Sequence, residues 1–330
     1  MRIITIEEHI PGSGIAAAAG LGAAKEAPYM AHASGKGLPY VPDSSMFDIC
    51  EKRVADMDKH GIDMQVVSCA SQSQYIPAKL APAIVKASND ELAAAISKYP
   101  DRFAAFAALP WSNPEKAAQE LERSVAKLGF KGAILAGSAG AGKDFLDASK
   151  FTPILEATQE LNVPIYIHPA APMRKVQQSY YDGLGDQLSA RLSLYGWGWH
   201  HEAGIQVLRL ILSGAFEKYP NLQVIAGHWG EMIPFFLSRL DQALPQSVTK
   251  LSRTITETFR QNVYVTPSGI FDYPQLKFCV EVLGADRIIH SVDFPFIGNE
   301  GAKPFIENAP FSEAEKEMIA HSNAEKLFHL

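Results

Sequence analysis

The chain has few cysteines, no long apolar run and no excess of basic residues. Its three cysteines, Cys50, Cys69 and Cys279, lie far apart without a CxxC pair, which is typical of buried thiols in a reducing compartment. No apolar stretch approaches the length that spans a bilayer. The net charge is -6 and the lysines and arginines are scattered, so neither a nucleic acid nor a membrane surface is the expected partner.

The Ala-rich segment from Gly14 to Ala24 has the composition of a signal peptide but not its layout. It follows Glu7, Glu8 and His9, and no basic region precedes it. The sequence contains no repeat, inter-domain linker or low-complexity tail. With 330 residues and 47% hydrophobic content, the chain can bury a large core. We therefore expect residues 1–330 to form one soluble domain in the cytoplasm.

Apolar runs of strand length recur along the chain, and helical periodicity fills the stretches between them. The predicted strands are Arg2–Glu7, Asp63–Cys69, Phe103–Leu109, Gly132–Ala136, Pro164–His168, Leu222–His228, Val263–Pro267 and Arg287–Asp293. Strands that alternate with helices predict a parallel sheet in an α/β fold. Eight of them favour a (β/α)8 TIM barrel over a doubly wound sheet.

The stretch from Ile10 to Asp43 interrupts this alternation. It is rich in Gly, Ala and Pro and directly follows the first predicted strand, where a barrel has its active-site rim. We predict a long rim loop here. It is either a flexible surface loop or a lid, since loops of this length in a compact domain are often functional.

Metal-binding residue types stand at the ends of three predicted strands. Glu7 and His9 end the first strand, His168 ends the fifth and Asp293 ends the eighth. Residues two apart share one face of a strand, so Glu7 and His9 project together, whereas Glu8 points the other way in a structural role. A single such histidine is usually only hydrogen-bonded. Because barrel strands converge at their carboxyl ends, the set of four predicts a site for one divalent ion, Zn²⁺ or Mn²⁺.

His228 ends the sixth predicted strand, and Glu231 follows it in a glycine-containing turn. An imidazole held by a carboxylate is a general acid/base pair; alternatively, the two residues are further metal ligands or cap the next helix. Arg239 lies eleven positions beyond His228 in an otherwise apolar helix. A buried guanidinium needs an anionic partner, which could be a substrate carboxylate or Asp241.

The segment from Gly137 to Asp144 nearly matches a phosphate-binding loop. Asp144 stands where the motif has a Mg²⁺-binding hydroxyl residue, and a carboxylate there would bring negative charge close to the phosphates. We therefore predict that this segment is the fourth rim loop, packed near the barrel mouth or a neighbouring subunit.

Short motifs distributed nearly end to end carry a family resemblance. They are Glu7-Glu8-His9, His60-Gly61-Ile62-Asp63, Asn89-Asp90-Glu91-Leu92, Pro100-Asp101-Arg102-Phe103, Ile167-His168-Pro169, Ser213-Gly214, Gly227-His228-Trp229-Gly230-Glu231 and Ser291-Val292-Asp293-Phe294-Pro295-Phe296. With these motifs the chain resembles the amidohydrolase-related, metal-dependent decarboxylases, and within them the branch of γ-resorcylate (2,6-dihydroxybenzoate) decarboxylase. The motifs are specific for this branch and less specific for the substrate.

The resemblance implies that Glu7, His9, His168 and Asp293 bind the metal, with His228 and Glu231 beside the substrate. It further implies three substrate contacts. Trp197 matches an aromatic residue of the family pocket, Arg239 matches a carboxylate-contacting arginine, and Arg53 resembles an arginine that some relatives lend to the adjacent subunit's site. A homodimer or homotetramer is therefore expected. The chain departs from the family in the added rings of Trp199, His200 and His201 and in the segment 10–43.

The implied reaction is a reversible, non-oxidative decarboxylation of an ortho-hydroxylated aromatic acid. The metal would chelate a carboxylate oxygen and an ortho phenolate oxygen. Asp293 would protonate the carbon that bears the carboxylate, and His228 with Glu231 would manage protons and charge. Two alternatives stay open: a metal-dependent hydrolase or hydratase of a small carboxylated substrate such as a lactone, and a catalytically silent binding protein, against which the intact ligand set argues.

Overall fold

The computed structural model describes residues 1–10, 12–33, 49–69, 72–138 and 144–330. Short buried strands in these ranges pair in parallel. They are β1 Ile4–Ile10, β2 Met64–Cys69, β3 Phe103–Ala105, β4 Ala107–Ala108, β5 Ala133–Ala136, β6 Ile165–His168, β7 Val224–Ala226 and β8 Val263–Val265. β1 to β3 form one sheet and β4 to β8 form a second, each in sequence order.

The two sheets join at both ends into a closed ring. At one junction the Phe106 N–H, between β3 and β4, donates to the Val67 carbonyl of β2 at 2.9 Å, so β3 and β4 are two parts of one barrel strand. At the other junction the segment 288–291 pairs in parallel with Val265 of β8 and Ile6 of β1. This is the (β/α)8 barrel that the sequence predicted.

Helices connect these strands. They are α1 Ser13–Glu26, α2 Met30–Ala33, α3 Glu51–His60, α4 Ala81–Ile96, α5 Pro114–Leu128, α6 Thr152–Leu161, α7 Arg174–Val176, α8 Asp186–Ser193, α9 Gly198–Leu212, α10 Ala215–Lys218, α11 Ile233–Ala243, α12 Gln246–Thr249, α13 Ile255–Asn262, α14 Tyr273–Leu283, α15 Ala302–Glu307, α16 Glu313–Glu317 and α17 Asn323–Phe328. Gly61 and Gly129 end α3 and α5 with φ of 70° and 72°, which glycine adopts without steric cost. No helix in the described ranges is long and apolar enough to cross a membrane.

The strands separate two layers of core. One layer fills the inside of the ring and includes Ile4, Ile6, Val66, Ile134 and Ile225. The other, larger layer lies between the strands and the surrounding helices. Because both faces of each strand are buried, β3 to β8 are almost entirely apolar, as is usual in parallel sheets, whereas β1 and β2 also carry buried polar residues.

The prediction of a loop over 10–43 is wrong for most of its described part, because Ser13–Glu26 and Met30–Ala33 are helices. The run of alanines, the residue with the highest helix propensity, outweighs the glycines in α1. Gly22 has a packing role, since a Cβ there would lie 2.2 Å from the Tyr75 carbonyl oxygen. Residues 34–43 lie outside the described residues.

The predicted fourth rim loop, from Gly137 to Asp144, also falls largely on residues that the structure does not describe, 139–143. At its ends, Gly137 has φ of 62° and Asp144 pairs with Lys150 at 2.5 Å. Its packing near the mouth or a neighbouring subunit stays a prediction.

Candidate metal centre and active-site cavity

Glu7 and His9 reach the inside of the barrel because β1 contains a bulge. Ile4 and Ile6 point into the ring, so simple alternation would point Glu8 inward as well. The pairing of β1 with β2 shifts between Ile6 and Glu8, and Glu7 has φ of 70°, as in a β-bulge. The bulge turns Glu7 and His9 inward together and Glu8 outward.

Glu8 connects β1 by hydrogen bonds to the segment that carries Asp293. Its side chain is fully buried and accepts hydrogen bonds from the N–H groups of Val292 at 3.0 Å and Phe294 at 2.8 Å. Burial raises the pKa of Glu8 to about 8, although these N–H groups oppose the shift. These contacts fit the structural role expected for Glu8.

The four predicted metal-binding side chains meet at the carboxyl end of the barrel. The potential ligand atoms of Glu7, His9, His168 and Asp293 all lie within 4.8 Å of one another. His9 Nε2 is 3.1 Å from an Asp293 carboxylate oxygen, and His168 Nε2 is 3.8 Å from Glu7 Oε1. The structure thus brings together residues that are almost 300 positions apart in the chain.

The inner atoms of this cluster fit a cation. Glu7 Oε1 and His9 Nε2 are buried and make no hydrogen bond to the described residues, because the 3.1 Å contact of His9 Nε2 with Asp293 lacks hydrogen-bond geometry. His168 Nδ1 lies 2.7 Å from the Pro169 carbonyl and must donate to it, which leaves the Nε2 lone pair for a ligand. Burial lowers the pKa of His168 well below its ordinary value, so this imidazole is neutral. Two imidazoles and two carboxylates are a suitable set for Zn²⁺ or Mn²⁺.

Residues just after β8 hold the second oxygen of Glu7, and Gly227 after β7 leaves room for the first. Ser268 donates to Glu7 Oε2, and Thr266 Oγ1 lies 3.5 Å from the same oxygen. A Cβ at Gly227 would lie 3.1 Å from Glu7 Oε1 and 2.9 Å from the Tyr166 hydroxyl oxygen, so a side chain there would intrude on the site. Sequence reasoning missed Ser268, whose only signal was its place just after a predicted strand.

The segment after β7 forms a left-handed turn. Residues 228–232 all have positive φ, including 47° at His228 and 52° at Glu231. Ten described non-glycine residues have positive φ, and seven of them are Glu7, Asp293, Ser268 or non-glycine members of this turn. Left-handed conformations cost about 1–2 kcal/mol per non-glycine residue, and such strain concentrates at functional sites.

The turn pairs His228 with Glu231. His228 Nδ1 lies 2.9 Å from Glu231 Oε1. Burial would raise the pKa of Glu231, but the neighbouring imidazoles of His228 and His200 hold it below its ordinary value. Burial also opposes a charged His228, yet the carboxylates of Glu231 and Glu7 prevail and raise the pKa of His228 to about 9. At neutral pH the pair is therefore a protonated imidazolium and an ionised carboxylate, which can supply a proton or a positive charge to the cavity.

His200, at the start of α9, joins this pair. Its Nδ1 lies 2.9 Å from the second Glu231 oxygen, and its ring centroid is 4.3 Å from that of His228. The sequence drew attention to His200 only as an imidazole that the family does not require.

Two adjoining cavities open beside the four-residue cluster. The first, of about 250 Å³, is lined by His168, Tyr195, Trp199, His200, His228, Ser268, Ile270, Asp293, Phe296 and Ile297. The second, of about 310 Å³, shares four of these residues, His168, Tyr195, Trp199 and Phe296. The first cavity combines apolar walls with a few convergent polar groups, as small-molecule sites do.

Two predicted substrate contacts do not line either cavity. Trp197 is 49% exposed, and Trp199 lines both cavities instead, because the turn that begins α9 directs the second ring inward. Arg239 is exposed and donates to Gln242 at 2.8 Å. It is therefore not the buried guanidinium that the sequence predicted, and Asp241 instead accepts from a backbone N–H at 3.1 Å.

Arg53 does not extend from the surface, so its interpretation as a side chain lent to an adjacent subunit stays a prediction that the single chain does not support. Arg53 is fully buried, donates to the His9 carbonyl and to Gln65 at 2.9 Å each, and lies over the Phe294 ring. Its guanidinium supports the end of β1 that carries Glu7 and His9. It is held there by the hydrogen bond to the His9 carbonyl and by attraction to the Glu8 carboxylate.

Comparisons with known proteins agree with this geometry. A family model described as Amidohydrolase matches residues 48–330. The chain is 36% identical over 310 residues to the Polaromonas sp. gamma-resorcylate decarboxylase. The aligned region covers 88% of this chain and 93% of that protein. A crystal structure of 2,6-dihydroxybenzoate decarboxylase with bound 2,6-dihydroxybenzoate matches all of both chains, with 32% identity and a TM-score of 0.84. The dihydroxybenzoic acid decarboxylase of Polaromonas sp. JS666, with manganese and the inhibitor 2-nitroresorcinol, has 34% identity and a TM-score of 0.86 over 100% of this chain and 97% of that one.

Proposed function

Since the chain belongs to the amidohydrolase family, we propose that it is a metal-dependent, non-oxidative decarboxylase of ortho-hydroxylated aromatic carboxylic acids. One observation carries the proposal: the four-residue cluster and the His228–Glu231 pair border one cavity with aromatic and apolar walls. Two of the similar proteins, gamma-resorcylate decarboxylase and 2,6-dihydroxybenzoate decarboxylase, are named for a dihydroxybenzoate, which is an acid of this class.

Glu7, His9, His168 and Asp293 are the proposed ligands of one divalent ion, Zn²⁺ or Mn²⁺. When bound, the ion would supply a Lewis acid that holds a carboxylate oxygen and an ortho phenolate oxygen of the substrate. The other residues of the cavity would bind and orient the ring. Trp199, Ile270 and Phe296 offer flat or apolar surfaces to it, and their low polarity strengthens the electrostatic interactions within the cavity.

The proposed chemistry moves one proton and breaks one bond. Asp293 donates a proton to the ring carbon that bears the carboxylate. The bond between this carbon and the carboxylate then breaks, its electron pair restores the aromatic ring, and CO₂ leaves. His228, with Nδ1 bound to Glu231, has Nε2 left for the cavity, where it would stabilise the negative charge on the substrate oxygen. Each turnover consumes one proton, and high bicarbonate should drive the reverse carboxylation.

The decisive experiment compares positional isomers on the metal-replete enzyme, with CO₂ release and loss of the acid both measured. Hydroxybenzoates with a hydroxyl ortho to the carboxylate should lose CO₂, because two-oxygen chelation orients the bond that breaks. Isomers with only meta or para hydroxyls are the control and should be stable. Cleavage of lactones or esters without CO₂ release from any ortho-hydroxy acid would replace decarboxylation by the hydrolase alternative.

We also propose that the chain forms a homodimer or homotetramer. Phe235 and Phe236 on α11 are 74% and 52% exposed, and adjacent exposed aromatic rings are typical of interaction surfaces. Light scattering of the purified protein tests this assembly.

We further propose that residues 1–330 form one domain and that the protein is cytoplasmic. One domain should unfold in a single thermal transition, and cell fractionation tests the location.

A further inference from the structure

Glu231 is bound by two imidazoles that come from different parts of the fold. Oε1 lies 2.9 Å from His228 Nδ1, and Oε2 lies 2.9 Å from His200 Nδ1. We infer that His200 is a positioning residue for the reaction, which acts on His228 through the carboxylate of Glu231. The inference rests on the proposed function and adds a residue to it.

The hydrogen-bond chemistry fixes the direction of both contacts. Glu231 is 2% exposed and ionised, so its oxygens can only accept. His228 and His200 must each donate from Nδ1. For His228 this places a hydrogen on Nδ1 whether the ring is protonated or neutral, and the nitrogen left for the cavity is Nε2.

His200 cannot use its own nitrogens on a substrate. Its Nε2 lies 3.0 Å from the Tyr195 carbonyl oxygen and 3.1 Å from Trp199 Nε1. Both ring nitrogens are thus engaged within the protein. The contribution of His200 must pass through Glu231, which distinguishes it from a residue that contacts the substrate with a polar atom.

The Glu231 carboxylate needs this second contact because it is buried. With His228 alone, Oε2 would be buried without a partner, and an unsatisfied charged group is costly. α9 packs closely against the turn at a second point, since a Cβ at Gly204 would lie 2.8 Å from the Glu231 carbonyl oxygen. His200 and Gly204, four residues apart on α9, therefore hold the Glu231 side chain and backbone in one orientation.

The kinetic test compares His200→Ala and His200→Asn, with His201→Ala as the matched control, because His201 is the exposed neighbour. His200→Ala should lower kcat about tenfold or more, the usual effect of losing a residue that orients an active-site imidazole, and change KM less than twofold. His200→Asn, whose amide can replace the Nδ1–H, should recover most of the activity. His201→Ala should match the wild type.

A double-mutant cycle tests the route through Glu231. In a Glu231→Gln background, His200→Ala should cause no further loss of kcat, because the two residues act as one unit. Full additivity of the two losses would overturn the inference and indicate an independent role for His200.

Histidine nitrogen NMR of the Zn²⁺-loaded protein provides a readout that does not depend on turnover. In spectra recorded at about pH 10, where a His228 with a pKa of about 9 is neutral, His228 should be the Nδ1–H tautomer in the wild type and a mixture of tautomers in His200→Ala. An unchanged His228 spectrum would overturn the inference. Two metal ions per wild-type chain would also overturn it, because His200, His228 and Glu231 would then be a second metal site. If the wild type releases no CO₂, the proposed function fails, and the tautomer measurement still decides the role of His200. Should His200→Ala not fold, His200→Asn and His200→Gln replace it, since only Asn positions an amide at Nδ1.

Discussion

Two clusters of histidines and carboxylates lie side by side in this barrel, and their hydrogen bonding is opposite. In the first, Glu7 Oε1 is buried without a hydrogen-bond partner in the described chain, and His9 Nε2 is 3.1 Å from Asp293 without hydrogen-bond geometry. In the second, both Glu231 oxygens lie 2.9 Å from an imidazole nitrogen. Both clusters have the residue types and spacing of a metal site. The difference teaches that unsatisfied inward-facing atoms, more than residue type, distinguish a metal site from a hydrogen-bond network.

The largest expected effect comes from breaking the first cluster. His168→Ala should remove the metal and lower kcat by more than about two orders of magnitude, because no other described side chain replaces its Nε2. Metal analysis and CO₂ release measure the two losses. A chelator should lower the Tm of the wild type, as loss of a bound ligand does, and should leave the Tm of this variant unchanged. Full metal content in His168→Ala would contradict the assignment of this cluster.

The second cluster should respond differently. His228→Asn should retain most of the metal while kcat falls by about two orders of magnitude, the scale of a lost acid/base group. Metal content and kcat are measured on the same preparation. Parallel loss of metal and activity would make His228 a ligand, and an unchanged rate would remove it from the mechanism.

A smaller effect should follow from filling the space next to Glu7. Gly227→Ala would place a Cβ 3.1 Å from Glu7 Oε1, so we expect metal affinity to fall about tenfold, as for other changes beside metal ligands. Competition with a fluorescent chelator measures the affinity. Gly20→Ala is the matched control, because a Cβ there meets no atom within 4 Å. Equal metal affinity in the two variants would contradict the close fit at Gly227.

The smallest expected effect concerns Glu202, which has a buried oxygen unpaired within the described residues but belongs to neither cluster. If a metal site also needs histidines nearby, this oxygen should not bind metal. Glu202 Oε1 is buried without a partner in the described chain, and burial raises the pKa of Glu202 from 4.5 to about 7. Its contribution to stability is therefore fully present below about pH 4.5 and lost as the pH rises through about 7. Glu202→Gln should thus stabilise the protein at pH 8 by up to about 3 kcal/mol, at 1.36 kcal/mol per pKa unit.

Urea unfolding at pH 4.5 and pH 8 measures this difference, which should vanish at the lower pH. The metal content of Glu202→Gln should equal that of the wild type. A loss of metal, or equal stabilisation at both pH values, would contradict the interpretation of Glu202.

The residues that the sequence predicted well are those that the barrel itself positions. His168 and Asp293 follow strands, and parallel strands of a closed ring bring their carboxyl ends together whatever the loops do. Trp197 and Arg239 lie away from both cavities, because the direction of a side chain on a short turn or a helix depends on packing that no local pattern records. α1 was missed because its glycines and alanines were read as loop composition, although alanine favours a helix.

His200 could not be assigned from the sequence for a related reason. Its partner, Glu231, is 31 residues away, and the left-handed turn that presents Glu231 has no sequence signal beyond Gly230. The contact therefore depends on how α9 packs against the turn, which only the folded chain determines.

The bulge in β1 implies that this active site depends on a residue count as well as on residue identity. A chain with one residue fewer between Ile6 and His9 would restore simple alternation. It could keep a glutamate and a histidine in the motif, and its barrel could still close, yet the direction of one of these side chains would reverse. Alignments of distant relatives should therefore treat a single-residue gap at this position as a change in chemistry, even where the neighbouring letters match.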